Sequence, residues 1–320
     1  MIVTLKPSLT VTDAQTQAIV DRVAPGRRLA RISALPTGEI SAVFAIELAD
    51  GPPAFVLKIY PETMHWKMQK EVSIARRLEG LALPIPRILV ADESRSLLDL
   101  NFVVMNRLDG RNVSQWEPSL DRDETYDIYR QIGTALRVIH GVTLESFGYL
   151  VANGVTQPFA SNRAYMLSQF ERNLSGFREL GGRPAVAAQL DAYLKRSTDL
   201  LDGCKRPVLC HYDYHSGNLL ADRRDRTLQL TGIIDLENAI AGDPLMDLAK
   251  TIAYSVRDDA IKRAGLLAGY GPIDRPDWQE TLRLYQFYGA IELWAWWVQI
   301  GDHQRAGNIV PDLEKYASVS

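Results

Sequence analysis

Apolar residues recur at helical spacing over residues 12–23, behind Thr12 or Asp13 as a cap, and then the period shortens to two. Residues 29–35, 40–48 and 54–60 alternate like strands, and Asp50-Gly51-Pro52-Pro53 turns between the last two, so a small antiparallel sheet is predicted. In its third strand Phe55, Leu57 and Ile59 share one face and Val56, Lys58 and Tyr60 the other. A helix is predicted over residues 64–78, with an apolar stripe of Met64, Met68, Val72, Ala75 and Leu78, and Glu71 falls on the face of Met68, Ala75 and Leu78. A carboxylate there needs a partner, because an unpaired buried charge is costly. Lys58 in the neighbouring strand supplies one, and a Lys58–Glu71 ion pair is expected.

Leu83-Pro84-Ile85-Pro86 ends that helix and leads into an extended segment. Residues 100–105 read as the last strand of the sheet and residues 106–110 as a crossing. Beyond Gly110 the pattern is helical: Tyr126, Tyr129, Ile132, Leu136 and Ile139 form one stripe, and residues 162–179 and 183–201 give two more helices. Towards the C-terminus helices are predicted up to about residue 254, over 258–267 and over 278–300, with a short terminal piece. In the long helix Leu284, Phe287, Ile291, Trp294 and Val298 make a core stripe, while Tyr285, Glu292, Trp296 and Gln299 lie on other faces.

Between these helical regions runs HYDYHSGNLL, a charged turn and LQLTGIIDLENAIAGDPLMDLA, residues 211–220 and 228–249. The apolar run that opens at Asn218 and the run that ends on Asp235 read as a hairpin. Asn218 and Asp235 then meet at one end, with Asp213 just beyond. Two oxygen donors beside a carboxylate suit Mg²⁺, a hard ion that leaves room for phosphate. Asp243 reads as a helix N-cap with Pro244 in the first helical position.

A chain of 320 residues, 46% of them hydrophobic, is long enough for a large core and two lobes. With 36 Lys and Arg against 39 Asp and Glu, a formal charge of −3, no basic field favours nucleic acid. Cys204 and Cys210 lack metal-like spacing and read as ordinary thiols of a reduced cytoplasmic protein. No apolar run is long enough to span a bilayer, so neither a membrane nor a nucleic acid is expected as partner.

Taken together, His211, Asp213, Asn218, Asp235 and the Gly242-Asp243-Pro244-x-x-Asp247-Leu248-Ala249 run resemble the aminoglycoside phosphotransferase family, small-molecule kinases with a protein-kinase-like fold. The resemblance implies an α+β, two-lobed fold: residues 1–105 a nucleotide-binding lobe with a small antiparallel sheet and one main helix, residues 106–320 a larger, mostly helical catalytic and substrate-binding lobe, hinged at about 105–110. It implies Asp213 as catalytic base, Asn218 and Asp235 as Mg²⁺ ligands, and structural roles for His211 and Asp247. Lys58, oriented by Glu71, is expected on the phosphates of ATP or GTP, with Gly38 and Ser41 beside a phosphate loop and Met105 and Leu108 near adenine. Glu237, Glu292, Trp296 and His215 are candidates for a hydroxylated, cationic acceptor.

Three departures from the family pattern stand out. Tyr212 occupies a position where the family usually has glycine, the phosphate loop has only Gly38, and Leu236-Glu237 replaces the Phe-Gly of protein kinases. Asp243 follows Asp235 so closely that no activation segment fits, which argues against protein acceptors. The expected activity is phosphorylation of a hydroxyl on an aminoglycoside-like antibiotic, with choline or homoserine as alternative acceptors. Two rival classes are a non-catalytic nucleotide-binding module and a hydrolase with a metal on His211-x-Asp213-x-His215.

Overall fold

Helix α1 (Asp13–Val23) starts at a reciprocal cap in which the Thr12 side chain accepts the Gln15 N–H and the Gln15 side chain accepts the Thr12 N–H. The computed structural model describes residues 9–35, 40–52 and 54–317. Gly38 lies outside them. Strands β1 (Leu29–Ala34), β2 (Ala42–Leu48) and β3 (Phe55–Ile59) precede helix α2 (His65–Leu78), and β4 (Ile88–Asp92) and β5 (Phe102–Asn106) follow it. They form one antiparallel sheet in the order β1-β2-β3-β5-β4.

The period-two pattern sorts this sheet's faces. Phe55, Leu57 and Ile59 pack with Ile19 and Val20 of α1, while Tyr60, Val103 and Met105 pack on Met68 and Val72 of α2. Lys58 and Tyr60 therefore emerge on the α2 side, as the alternation requires.

The rest of the chain is mostly helical. In order it runs β6 (Arg111–Asn112), α3 (Val113–Trp116), α4 (Arg122–Ile139), β7 (Phe147–Val151), β8 (Gly154–Phe159), α5 (Asn162–Glu179), α6 (Pro184–Ser197), β9 (Val208–Cys210), β10 (Leu219–Arg224), β11 (Thr227–Ile233), β12 (Ile240–Gly242), α7 (Pro244–Thr251), α8 (Ala260–Tyr270), α9 (Trp278–Gln299) and α10 (His303–Ala317). A large apolar core joins α4 to α9.

Four sequence expectations need correction here. Beyond Gly110 the β10–β11 hairpin is as expected, but β6 pairs with it and a four-stranded sheet, β8-β7-β12-β9, lies among the helices, where only helices are predicted. β9 and β12 have three residues each, too few to show a period. Tyr126 is exposed although the other members of its stripe are buried. In α9 Val298 is only half-buried, whereas Tyr285, expected off the stripe, is buried and donates its hydroxyl to Asp243 at 2.9 Å. The terminal piece is not short but a 15-residue helix containing Pro311.

Helix α2 is tied to the large lobe as well as to its own sheet. Ser73 Oγ donates to the Ala152 carbonyl at 2.8 Å, and Trp66 meets Tyr149 edge-on at 6.0 Å. Lys70 is fully buried with its ammonium 3.8 Å over the Tyr149 ring and no hydrogen-bond partner among the described residues. Burial, then the charge of Lys67, pull its pKa down to about 7.

A shift of that size corresponds to roughly 5 kcal/mol, of which the aromatic face offsets about 2. The unfolded chain holds this proton up to the ordinary lysine range, so the penalty is complete below about pH 7 and fades above it. Lys70→Met is therefore expected to stabilise the fold by roughly 2–3 kcal/mol at pH 6 and by clearly less at pH 9. Urea unfolding at the two pH values checks this, and a variant less stable than the parent at pH 6 contradicts it.

Candidate active site

The β10–β11 hairpin turns on Asp225 and Arg226, both left-handed at φ 49° and 67°, the backbone that a two-residue hairpin loop requires. At its open end the Ile234 N–H reaches the Asn218 carbonyl at 3.0 Å, so Asn218 and Asp235 leave the sheet together. Asp235 is itself left-handed, φ 67°, a conformation Asp tolerates better than most residues. It turns the chain into a single 3-10 turn, Leu236–Asn238.

Ahead of the hairpin lies the loop that carries Asp213. The buried His211 accepts the Asp213 N–H on Nδ1 at 3.3 Å, and its Nε2–H faces the Ile234 carbonyl at 3.1 Å. Burial lowers its pKa, in keeping with this neutral tautomer. Both ring nitrogens of His211 are thus engaged by backbone groups. Asn218 Nδ2 donates to the Asp213 carbonyl and to Oδ2, at 3.0 and 3.1 Å, which leaves its Oδ1 facing no donor among the described residues. His215 Nδ1 accepts the Gly217 N–H at 3.0 Å, and its Nε2 lies 3.5 Å from Asp213 Oδ1.

Tyr212 has φ 66°, which explains why glycine suits this position. The tyrosine is held by four contacts. Its N–H donates to Asp247 Oδ1 at 2.6 Å, its carbonyl accepts from Lys250 at 3.1 Å, its ring lies 3.5 Å below the Lys250 ammonium, and its hydroxyl donates to Glu292 at 2.8 Å.

Lys58 is buried among three carboxylates. Its Nζ is 2.8 Å from Glu71, 2.9 Å from Asp235 and 2.8 Å from Glu237. Tyr60 donates its hydroxyl to the same Glu71 oxygen. Burial pulls the Lys58 pKa down, but Asp235, Glu237 and Glu71 together carry it well above the ordinary lysine value. Burial also raises the Asp235 carboxyl, against the pull of Lys58 and reinforced by Glu237 and Glu71. Burial works the same way on Glu237, but Lys58 and Lys67 win and hold it at about 2.

Oxygens of Glu71, Asp235 and Glu237 lie within 4.8 Å of one another, and among the described residues the cations that face them are Lys58 and Lys67. Three carboxylates against two ammonium groups leave negative charge over. Asp235 has 30% of its side chain open to solvent. This donor set fits a hard divalent cation, with Asp235 and the free Asn218 Oδ1 as the residues to hold it.

The remaining candidates are scattered. Met105 is buried in β5; Leu108 is half-buried at the crossing, and its backbone makes no hydrogen bond among the described residues. Ser41 is buried just ahead of β2. Glu237 is 4% exposed and turned inward to the two lysines. Glu292 lies beside the Asp213 loop, bonded to Tyr212 and to Lys250 at 2.9 Å. Trp296 is half-buried and makes no ring contact with any of these groups. Lys67, Asn238 and Lys250 were missed by sequence reasoning. Lys67 lies four residues before Glu71, on the same helix face, and that spacing was the available signal.

The model of the phosphotransferase enzyme family (APH) matches residues 31–284. Among curated proteins the chain is 21% identical over 244 residues to acyl-CoA dehydrogenase family member 11 of Rattus norvegicus, covering 73% of this chain and 30% of that protein. The chain thus spans under a third of the relative's length. Among solved structures it is similar to a thermostable mutant of aminoglycoside phosphotransferase APH(4)-Ia in ternary complex with ADP and hygromycin B, with a TM-score of 0.75, 18% identity, and 97% of this chain and 100% of that chain covered. The GDP and kanamycin complex of APH(2")-IIia gives a TM-score of 0.69 at 14% identity, over 94% of this chain and 97% of that chain. At these identities the likeness is one of fold.

Proposed function

Because this chain belongs to the phosphotransferase enzyme family, we propose that it transfers the γ-phosphoryl group of ATP or GTP to a hydroxyl of a small molecule. The observation that carries the reading is Lys58, held within 2.9 Å of Glu71 and of Asp235, which stands at the open end of the hairpin whose Asn218 donates to Asp213. In this reading residues 1–105 take the nucleotide and residues 106–320 the acceptor. Lys58, oriented by Glu71, steadies the phosphates. The segment around Met105 and Leu108 meets adenine, for which the unengaged backbone of Leu108 is suited.

Asn218 and Asp235 would hold Mg²⁺, which when bound supplies charge neutralisation on the phosphates. Asp213 orients the acceptor hydroxyl and takes its proton, while Asn218 and Asn238 keep its carboxylate in place. Phosphoryl transfer passes through a loose transition state, so positioning carries more of the rate than proton abstraction. No helix among the described residues is long and apolar enough to cross a membrane.

An aminoglycoside-like amino sugar is the first acceptor to test, with Glu292 and Trp296 as candidate contacts. A second reading has its own support. Glu237 and Glu292 are already paired with lysines, which favours a smaller, less cationic alcohol such as choline or homoserine. ADP or GDP release with Mg²⁺ and a panel of aminoglycosides, choline and homoserine decides between them. Release stimulated by amino sugars alone supports the first reading, and stimulation by the small alcohols alone supports the second. If the protein binds neither nucleotide, the phosphotransfer reading fails.

A further inference from the structure

Lys67 has no part in the reaction as described, yet it is buried in its centre. Its ammonium donates to Glu237 Oε1 at 2.9 Å and to Asn238 Oδ1 at 3.1 Å. Both acceptors belong to the turn directly after Asp235, and each has a second partner among the reacting groups. Glu237 Oε2 lies 2.8 Å from Lys58, and Asn238 Nδ2 faces Asp213 Oδ2 at 3.4 Å. A polar chain therefore runs from Lys58 through Glu237, Lys67 and Asn238 to Asp213. Its middle link comes from α2, one turn before Glu71.

We propose that Lys67 is a positioning residue that sets both ends of the site from helix α2, acting on the phosphate lysine through Glu237 and on the acceptor base through Asn238. The proposal rests on the phosphotransfer reading. At the first end, Glu237 divides its charge between two ammonium groups. Without Lys67 the whole carboxylate turns to Lys58 and competes with incoming phosphate.

At the second end, an asparagine amide presents either oxygen or nitrogen depending on its partners. Lys67 takes the oxygen, so the NH₂ faces the Asp213 carboxylate. Without Lys67 the amide is free to rotate, and its oxygen then repels Asp213. A base displaced by about an ångström costs on the order of 10²-fold in rate.

The test uses MgATP as probe, with ADP release to water as the turnover and calorimetry for binding. Lys67→Met is expected to lower turnover about 30-fold and to weaken MgATP several-fold, whereas Asn238→Ala lowers turnover about 10-fold with MgATP affinity unchanged. Lys67→Arg, which keeps the charge and the donors, should recover most of both. The double variant Lys67→Met with Asn238→Ala should turn over no more slowly than Lys67→Met alone, because the two residues act in one chain.

Turnover of Lys67→Met within twofold of the parent, or losses that multiply in the double variant, would overturn the proposal while leaving the phosphotransfer reading intact. If Lys67→Met does not fold, Asn238→Ala decides, and unchanged turnover in that variant overturns the proposal. A parent that binds no MgATP sinks the phosphotransfer reading itself and this inference with it.

Discussion

Asp213→Ala is expected to cut acceptor-dependent turnover by roughly 10²- to 10⁴-fold while leaving nucleotide affinity within a few-fold of the parent. Two features of the site separate these effects. Lys58, Glu71 and Asp235 make their contacts without Asp213, and Asn218 loses its bond to the carboxylate but keeps the one to the Asp213 carbonyl, so the groups proposed to hold phosphate and metal stay in place. The Asp213 carboxylate is half-buried and faces Asn218, Asn238 and His215, none of which replaces it as a proton acceptor at the same place. His215 in particular spends its Nδ1 on the Gly217 N–H. Asp213→Asn is the sharper control, because it preserves volume and removes only the base and the charge. Steady-state kinetics beside nucleotide titration measure both quantities. An Asp213→Ala variant with parental turnover would remove Asp213 from the mechanism, and a large loss of nucleotide affinity would move its role to the nucleotide side.

The parts of this site that were legible in the sequence share a property. Each shows up as a clash between residue type and local pattern. Glu71 interrupts an apolar helix stripe, Lys58 interrupts a strand, and Asp235 ends a run of buried residues; the ion pairs at 2.8 and 2.9 Å are the resolution of those clashes. Asn218 and Asp235 met as expected because hairpin register is fixed by a short turn and a buried face.

Residues that gave no such clash were missed. Lys67 and Lys250 read as ordinary helix lysines, and only packing shows that their side chains are 10% and 11% exposed. Asn238 sits in a turn where asparagine is unremarked. The sheet β8-β7-β12-β9 was invisible for a different reason: its pairing is non-local, and strands of three residues carry no period. Tyr212 is the intermediate case. The sequence marks it as a departure from glycine, but its partners Asp247 and Lys250 belong to α7 and Glu292 to α9, far along the chain.

Among these partners, Asp247 is the one whose replacement should have the largest effect on stability. Its carboxylate is fully buried and accepts the His211 and Tyr212 N–H groups, both at 2.6 Å, with His140 Nε2 at 3.1 Å. Asp247→Ala leaves two backbone donors in the interior without acceptors, each costing about 1–3 kcal/mol. Release of Tyr212 from its left-handed backbone, unfavourable by roughly 1–2 kcal/mol, offsets part of that loss, while the loss of the carboxylate's partner role for His140 adds to it.

The expected loss is about 3–5 kcal/mol, a large share of the stability of an ordinary domain. Asp247→Asn should fall between the variant and the parent, since one oxygen can still accept while the amide NH₂ opposes the other donor. Urea unfolding gives the stability change, and turnover of the Asn variant gives its consequence for the loop. A drop below 1 kcal/mol for Asp247→Ala would mean that water enters and satisfies the two N–H groups. If the Asn variant stays folded but loses turnover with MgATP binding intact, the small buried shift has reached Asp213 through the two residues that precede it, which is the role the geometry gives Asp247.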